Sequence, residues 1–165
     1  MVDVALLALR VPVGGLLAGH GAQKLFGWFG GPGLQGTAGW LESIGLKPGN
    51  RWAPVAALSE FGGGLLTAFG FLHPLGPISI LAAMSMATIK GHGGKPIWAT
   101  AGGAELPVTN MAAALAIALA GPGRYSLDTA MRLRLPVPLV VAAAIAAAAG
   151  VGTGTATGPD AARVA

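Results

Sequence analysis

Five apolar stretches run along the chain, separated by short turns rich in glycine and proline. They cover residues 2–26, 52–72, 75–89, 107–120 and 136–150. The first two are long enough to cross a hydrocarbon layer of about 30 Å, because an α-helix rises about 1.5 Å per residue. The third and fourth are shorter than the roughly 20 residues of an ordinary crossing, so we expect a thinned bilayer or helices extended by their flanks. The pattern predicts an all-α membrane protein.

The stretches group into a bundle with one added helix. Residues 1–128 contain the first four stretches, which predict a four-helix transmembrane bundle made of two helical hairpins. Within this core, residues 37–46 carry apolar side chains at helical spacing beside polar ones, which predicts a short helix in the membrane interface. Residues 129–152 add a fifth, C-terminal apolar helix. Residues 153–165 are rich in glycine, threonine and alanine and predict a flexible tail.

The composition agrees with a lipid environment. Apolar residues make up 53% of the 165 residues and charged residues only 10%, whereas soluble domains carry about a quarter. The net charge is +4, but the ten lysines and arginines are scattered, which favours contacts with anionic headgroups over nucleic-acid binding. The chain has no cysteine, which excludes disulfide exchange and iron–sulfur clusters within it. Any redox chemistry must therefore be shared with a partner.

Ionisable residues gather on one side of the predicted bundle, because odd-numbered stretches end there and even-numbered stretches begin there. Six groups lie at or near these helix ends: His20, Lys24, Glu60, Lys90, His92 and Glu105. Charges at membrane depth are costly, so they usually pair, face the interior of a bundle and mark a functional cavity. The clustering predicts one polar pocket.

The residue types in this pocket suit proton transfer beside a bound cofactor. Two carboxylates are expected to accept protons, two histidines to donate to a head group such as a quinone carbonyl, and two lysines to bind the cofactor as charge partners. Glu60 and Glu105 are the expected proton acceptors, and His20 and His92 are the expected hydrogen-bond donors. Lys24 and Lys90 are expected to bind the cofactor. The alternative is structural: Lys24 extends to the headgroups and Glu60 pairs with it in packing.

The opposite side carries Arg10 and Asp128, which are expected to form a structural ion pair. No metal site is predicted, because the chain has no Glu-x-x-His motif and His20 and His92 lie near the membrane edge among glycines, which disfavours haem and di-iron sites. The cofactor is left open, with a quinone as the candidate.

The distribution of lysine and arginine predicts an orientation. More of them lie on the side of the six-group cluster, which favours a cytoplasmic location for that side. The first apolar stretch has no basic leader and no convincing cleavage site, so it is expected to be a retained helix. We expect a multi-pass protein of the bacterial inner membrane.

Several segments, taken in order, resemble the DoxX family of small bacterial membrane proteins. They are Arg10, residues 21–27 (GAQKLFG), residues 60–65 (EFGGGL), Glu105 and residues 121–128 (GPGRYSLD). The last segment is the most specific. The resemblance implies a four-helix membrane core, related to a subunit of thiosulfate:quinone oxidoreductase. The apolar stretch 136–150 departs from that four-helix pattern.

The resemblance and the polar cluster together indicate an integral membrane subunit of a redox or oxidative-stress system. It is expected to face a quinone or to scaffold an oxidoreductase complex. Some relatives are linked to complexes with superoxide dismutase and a sulfurtransferase, which are candidate partners. A homodimer through glycine-rich helix faces such as residues 62–64 is also allowed. The alternatives are a small-solute transporter and a non-catalytic anchor that recruits soluble enzymes.

Overall fold

The computed structural model describes residues 1–157, and this part of the chain is helical, without a β-strand. Its α-helices are α1 (Val2–Phe26), α2 (Gly33–Ser43), α3 (Gly49–Phe69), α4 (Leu75–Met86), α5 (Glu105–Ala120), α6 (Leu127–Met131) and α7 (Val137–Ala156). A π-helical turn, Ala87–Gly91, extends α4, and single 3-10 turns lie at Trp28–Gly30 and Ala99–Ala101. The predicted all-helical fold is confirmed.

Four of the helices pack side by side in a closed ring. Helix α1 contacts α3, α3 contacts α4, α4 contacts α5, and α5 returns to α1. Leu17, Ile80, Met84 and Ala114 form a buried cluster between α1, α4 and α5. Burial of apolar side chains is the largest favourable contribution to folding in water. In lipid, van der Waals contacts between such side chains hold the helices together.

Helices α2 and α7 lie outside this ring. Helix α2 packs on α3 and α1 over a second buried cluster of Leu41, Leu46 and Ala53. Helix α7 packs chiefly on α4, and most of its surface is exposed. By length and apolar character, α1 and α7 are able to cross a membrane, whereas Leu75–Gly91 and α5 are shorter apolar helices.

Several element boundaries differ from the sequence prediction, among them the start of α2 and the end of α7. Helix α2 begins at Gly33 rather than at residue 37 and ends at Ser43 rather than at residue 46. Thr37 Oγ1 donates to the carbonyl oxygen of Gly33 over 2.7 Å, so a glycine of the Gly-rich turn belongs to the first turn of the helix. Helix α7 continues to Ala156, so the predicted flexible tail begins too early. A Cβ atom on Gly154 would collide with the Met86 side chain, so this part of α7 packs closely against α4. The rest of that tail, residues 158–165, lies outside the described residues.

The crossing of α1 and α3 depends on glycines. A Cβ atom on Gly14 would lie 2.5 Å from the carbonyl oxygen of Gly64 and 2.5 Å from the backbone nitrogen of Ala68. Only glycine allows two helix backbones to approach so closely. A Cβ atom on Gly21 would lie 2.5 Å from Phe61 Cα, so the close approach extends along the helix pair.

Replacing Gly14 with valine is expected to lower the thermal midpoint of unfolding, because the new side chain would be forced against the backbone of α3. Overpacking of this kind costs about 1–3 kcal/mol. Gly15→Val is the matched control, since a Cβ atom at Gly15 meets nothing within 4 Å. Thermal unfolding of both variants in the same detergent measures the difference. Equal shifts for the two variants would contradict the role of this crossing.

Candidate functional site

A large cavity lies between α2, α3, α4 and α7. Its volume is about 580 Å³, within the range of small-molecule binding sites. Its walls are mostly apolar: Trp52 and Leu66 from α3, Ile78 and Met86 from α4, and Ala147 from α7 contribute to them. The cavity therefore suits a ligand with a large hydrocarbon surface.

One ion pair stands at the wall of this cavity. Lys24, in the last turn of α1, donates a hydrogen bond to Glu60 Oε1 from α3, and both residues line the cavity. The side chain of Glu60 is 7% exposed and that of Lys24 is 23% exposed. The close approach of Gly21 to Phe61 brings the two helices together beside this pair.

The second carboxylate oxygen of Glu60 lacks a partner. Glu60 Oε2 is buried and accepts no hydrogen bond from any group within residues 1–157. Buried polar atoms are nearly always hydrogen-bonded, and an unpaired one is costly. Because Glu60 lines the apolar cavity, a ligand hydroxyl or another hydrogen-bond donor that reaches Oε2 from that side would satisfy this acceptor.

The other four residues of the predicted pocket lie outside the cavity. His20 is exposed, with Nδ1 3.2 Å from Gln23 Oε1. Lys90 is half-buried in the π-helical turn. The single pocket of six groups expected from the sequence is therefore not formed, and of those six side chains only Lys24 and Glu60 line the cavity.

His92 and Glu105 instead hold the loop between α4 and α5. His92 Nδ1 lies 2.7 Å from the carbonyl oxygen of Gly102, so it donates the hydrogen bond. Glu105 Oε2 accepts a hydrogen bond of 2.9 Å from the backbone N–H of Ala99. Within residues 1–157, no three His, Asp or Glu side chains come close enough to share a metal ion.

A second polar cluster, at the other end of the ring, is built around Arg10. This side chain is 2% exposed, and it donates to two backbone carbonyls, that of Pro122 over 2.7 Å and that of Tyr125. A Cβ atom on Gly70 would collide with the Arg10 guanidinium, so glycine is required there. Arg10 thus ties α1 to the segment that follows α5.

The predicted direct pair of Arg10 with Asp128 is wrong, although both residues belong to this cluster. Asp128 accepts hydrogen bonds from the backbone N–H groups of Leu72 over 2.8 Å and His73 over 2.7 Å. No ion pair joins Arg10 and Asp128 within 4.0 Å. The physical reason is that turns on both sides present unpaired backbone groups, which these two charged side chains satisfy.

His73 lies in the turn between α3 and α4, beside this cluster. Its Nε2 is 3.2 Å from the carbonyl oxygen of Ala118, so the neutral ring donates there. Burial lowers the pKa of His73 below its ordinary value, against the smaller opposing effects of the Ala118 carbonyl and Asp128; Arg10 adds to the lowering.

The stability of the fold is expected to decrease as the pH falls, because His73 is neutral in the folded state. The folded state holds His73 neutral, whereas the unfolded chain binds a proton near pH 6.5, so stability is complete above about pH 6.5 and is lost as the pH falls toward the lowered folded pKa. Thermal midpoints measured between neutral and mildly acidic pH in one detergent test this. His73→Gln should flatten the dependence, while His20→Gln, at an exposed histidine, should leave it unchanged. An unchanged slope in His73→Gln would refute the assignment.

The sequence did not indicate the apolar walls of the cavity. A usable signal exists in α7, where Ala143, Ala147 and Gly150 recur at helical spacing and line the cavity together. Such a stripe of small residues indicates a packed or ligand-facing side only once the position of the helix is known. No residue pattern in the sequence indicated that Trp52 and Met86 line a cavity.

Comparison with known proteins gives one match. The family model described as DoxX matches residues 5–93, which is more than half of the chain. No curated protein and no solved structure matches the chain. The matched region contains α1 to α4, including Lys24 and Glu60, and α7 lies outside it.

Proposed function

Because the chain belongs to the DoxX family of membrane proteins, we propose that it is a quinone-facing subunit of a redox system in the bacterial inner membrane. In this proposal α1, α3, α4 and α5 form a four-helix transmembrane bundle and α7 is a fifth span. Helix α2 lies in the membrane interface, at the end of the bundle that contains Lys24. The electrons are carried by a partner oxidoreductase.

The observation that carries the proposal is the Lys24–Glu60 pair at the wall of an otherwise apolar cavity. The apolar walls suit the ring and tail of a quinone, which is itself dissolved in the bilayer. The Lys24 ammonium is able to donate to a quinone carbonyl, and the unpartnered Glu60 Oε2 is able to accept from a quinol hydroxyl. One donor and one acceptor side by side serve both redox states of the ligand.

The proton chemistry follows from these two groups. A quinol that gives two electrons to an acceptor in the partner protein also releases two protons, one from each hydroxyl group. Glu60 takes the proton of the hydroxyl that it binds, the second proton passes with the two electrons to the acceptor in the partner protein, and Lys24 stabilises the resulting quinone carbonyl. We assign no role in this step to His20, His92, Lys90 or Glu105, because they lie outside the cavity.

The loops at the Lys24 end are the surfaces that a soluble partner would contact. The family resemblance favours partners in oxidant defence, namely a superoxide dismutase or a sulfurtransferase. The absence of cysteine from the chain agrees with thiol chemistry located in a partner.

Ligand binding tests the proposal. The protein is reconstituted in nanodiscs and titrated with decyl-ubiquinol, with binding followed by quenching of tryptophan fluorescence, since Trp40 and Trp52 line the cavity. Glu60→Gln is expected to weaken quinol binding about tenfold, the loss of a charge-assisted hydrogen bond. Glu105→Gln is the matched control and should bind like the unaltered protein.

The thermal midpoints of both variants show whether each still folds. Equal quinol affinity in the unaltered protein and in a folded Glu60→Gln variant would refute the role of Glu60. Failure of the unaltered protein to bind quinol or quinone would refute the proposal as a whole.

A further inference from the structure

A second cavity lies at the end of the molecule opposite the Lys24–Glu60 pair. Its volume is about 560 Å³, and it lies between the α3–α4 turn, α6 and the segment that leads into α7. Polar residues form much of its lining: His73, Asp128, Thr129, Arg132 and Arg134. It is distinct from the apolar cavity in position and in chemistry.

Two arginines give this cavity a positive charge. The guanidinium groups of Arg132 and Arg134 form no ion pair with a carboxylate within residues 1–157. Asp128 is the acidic residue in the lining, and both of its oxygens are engaged by the backbone N–H groups of Leu72 and His73. The cavity is therefore suited to an anionic group.

Backbone hydrogen bonds fix the course of the chain at Arg132 and Leu133. Arg132 ends α6 in the left-handed conformation, with φ of 54°, and its N–H donates to Thr129 O over 3.3 Å. The next residue, Leu133, donates to Asp128 O over 2.8 Å. Arg132 and Arg134 both line this cavity and are exposed, and two guanidinium groups at one site favour the binding of a phosphate, whose oxygens accept paired hydrogen bonds.

An apolar surface begins where the arginines end. Along α7, Val137 is 72% exposed, Leu139 57%, Val141 49% and Ile145 64%. In a helix that crosses the bilayer, these side chains contact acyl chains. The chain thus places a cationic cavity at the start of a lipid-facing helix, which matches the two parts of a phospholipid.

We propose that this cavity binds the phosphate of an anionic phospholipid between Arg132 and Arg134, with its acyl chains along the exposed face of α7. The proposal rests on α7 crossing the membrane, as proposed above, but not on quinone binding. Failure to bind quinol would therefore leave it standing.

Native mass spectrometry of the full chain in detergent, with added lipid, tests the site. The probes are phosphatidylglycerol and phosphatidylcholine of the same acyl chains, which differ in headgroup charge. The unaltered protein is expected to retain phosphatidylglycerol with about tenfold preference, and Arg132→Gln/Arg134→Gln should bind both lipids equally. Arg51→Gln/Arg124→Gln is the matched control: it removes the same charge from two exposed arginines that do not line the cavity, and its preference should persist.

Three results would overturn the proposal. The first is a preference that survives in the Arg132→Gln/Arg134→Gln variant. The second is an equal loss of preference in the control. The third is release of the bound lipid by millimolar inorganic phosphate, which would make this a site for a free anion. If the double glutamine variant does not fold, Arg134→Gln alone is compared with Arg134→Lys, and the proposal requires the lysine variant to retain more phosphatidylglycerol.

Discussion

Replacing Arg10 with methionine is expected to lower the free energy of unfolding by about 3 kcal/mol. The substitution removes a buried guanidinium and leaves the carbonyls of Pro122 and Tyr125 without their donor. It also removes the positive charge that Arg10 places near the Asp128 carboxylate. Because Arg10 joins α1 to the segment after α5, we expect that segment to open first.

Two measurements test this result. Thermal unfolding gives the loss of stability, and limited proteolysis under native conditions shows whether cleavage increases within residues 121–134. Arg124→Met is the matched control, because Arg124 is exposed and its contact with Asp3 is made by the backbone N–H, which the substitution keeps. The role of Arg10 in joining α1 to the segment after α5 is disproved if Arg10→Met is no less stable and no more easily cleaved than Arg124→Met.

Replacing Lys24 with methionine is expected to be about as destabilising, roughly 3 kcal/mol, because it leaves the Glu60 carboxylate buried with neither oxygen paired. Removing both charges should cost less than removing Lys24 alone. The combination Lys24→Met/Glu60→Leu is therefore expected to recover much of the stability, since apolar side chains suit the walls of the cavity.

A double-mutant cycle measures this coupling. The thermal midpoints of the two single variants, the double variant and the unaltered protein are compared in one detergent at one pH. A double variant as unstable as the sum of the two single changes would show that the pair does not interact. Lys90→Met is the matched control, because Lys90 lies outside the cavity and should change stability little.

The helices could be predicted from the sequence because their signal is local. Glycine or proline lies at or near the ends of the apolar stretches, and in the structure Gly27 and Gly70, both in the left-handed conformation, cap the C-terminal ends of α1 and α3. Helix α5 starts at Glu105, which agrees with its expected place at or near a helix end. The start of α2 was missed because Gly33 is able to open a helix as well as a turn.

The partners of charged side chains were harder to predict. The interpretation of Lys24 and Glu60 as a packed pair agrees with the structure, since the two helices cross beside them. Arg10 and Asp128 were paired by charge alone, whereas both are occupied by backbone groups of turns whose geometry no residue pattern indicates. Glu105 was grouped with Glu60 by topology, but it contacts a backbone N–H in its own loop.

The apolar cavity could not be predicted, because it is a property of four elements together. Its walls come from α2, α3, α4 and α7, and only their relative positions leave a space between them. A sequence specifies which face of a helix is apolar but does not indicate whether a neighbour or a gap lies against that face.

The position of α7 outside the four-helix ring separates the shape of the cavity from the packing of the ring. Helix α7 supplies one wall of the space yet packs chiefly on α4, while the ring of α1, α3, α4 and α5 closes without it. Substitutions on its small-residue face, such as at Ala147 or Gly150, therefore change the shape of the cavity without altering the contacts of that ring. The volume of the cavity is therefore set in part by a helix on which the closure of the four-helix ring does not depend.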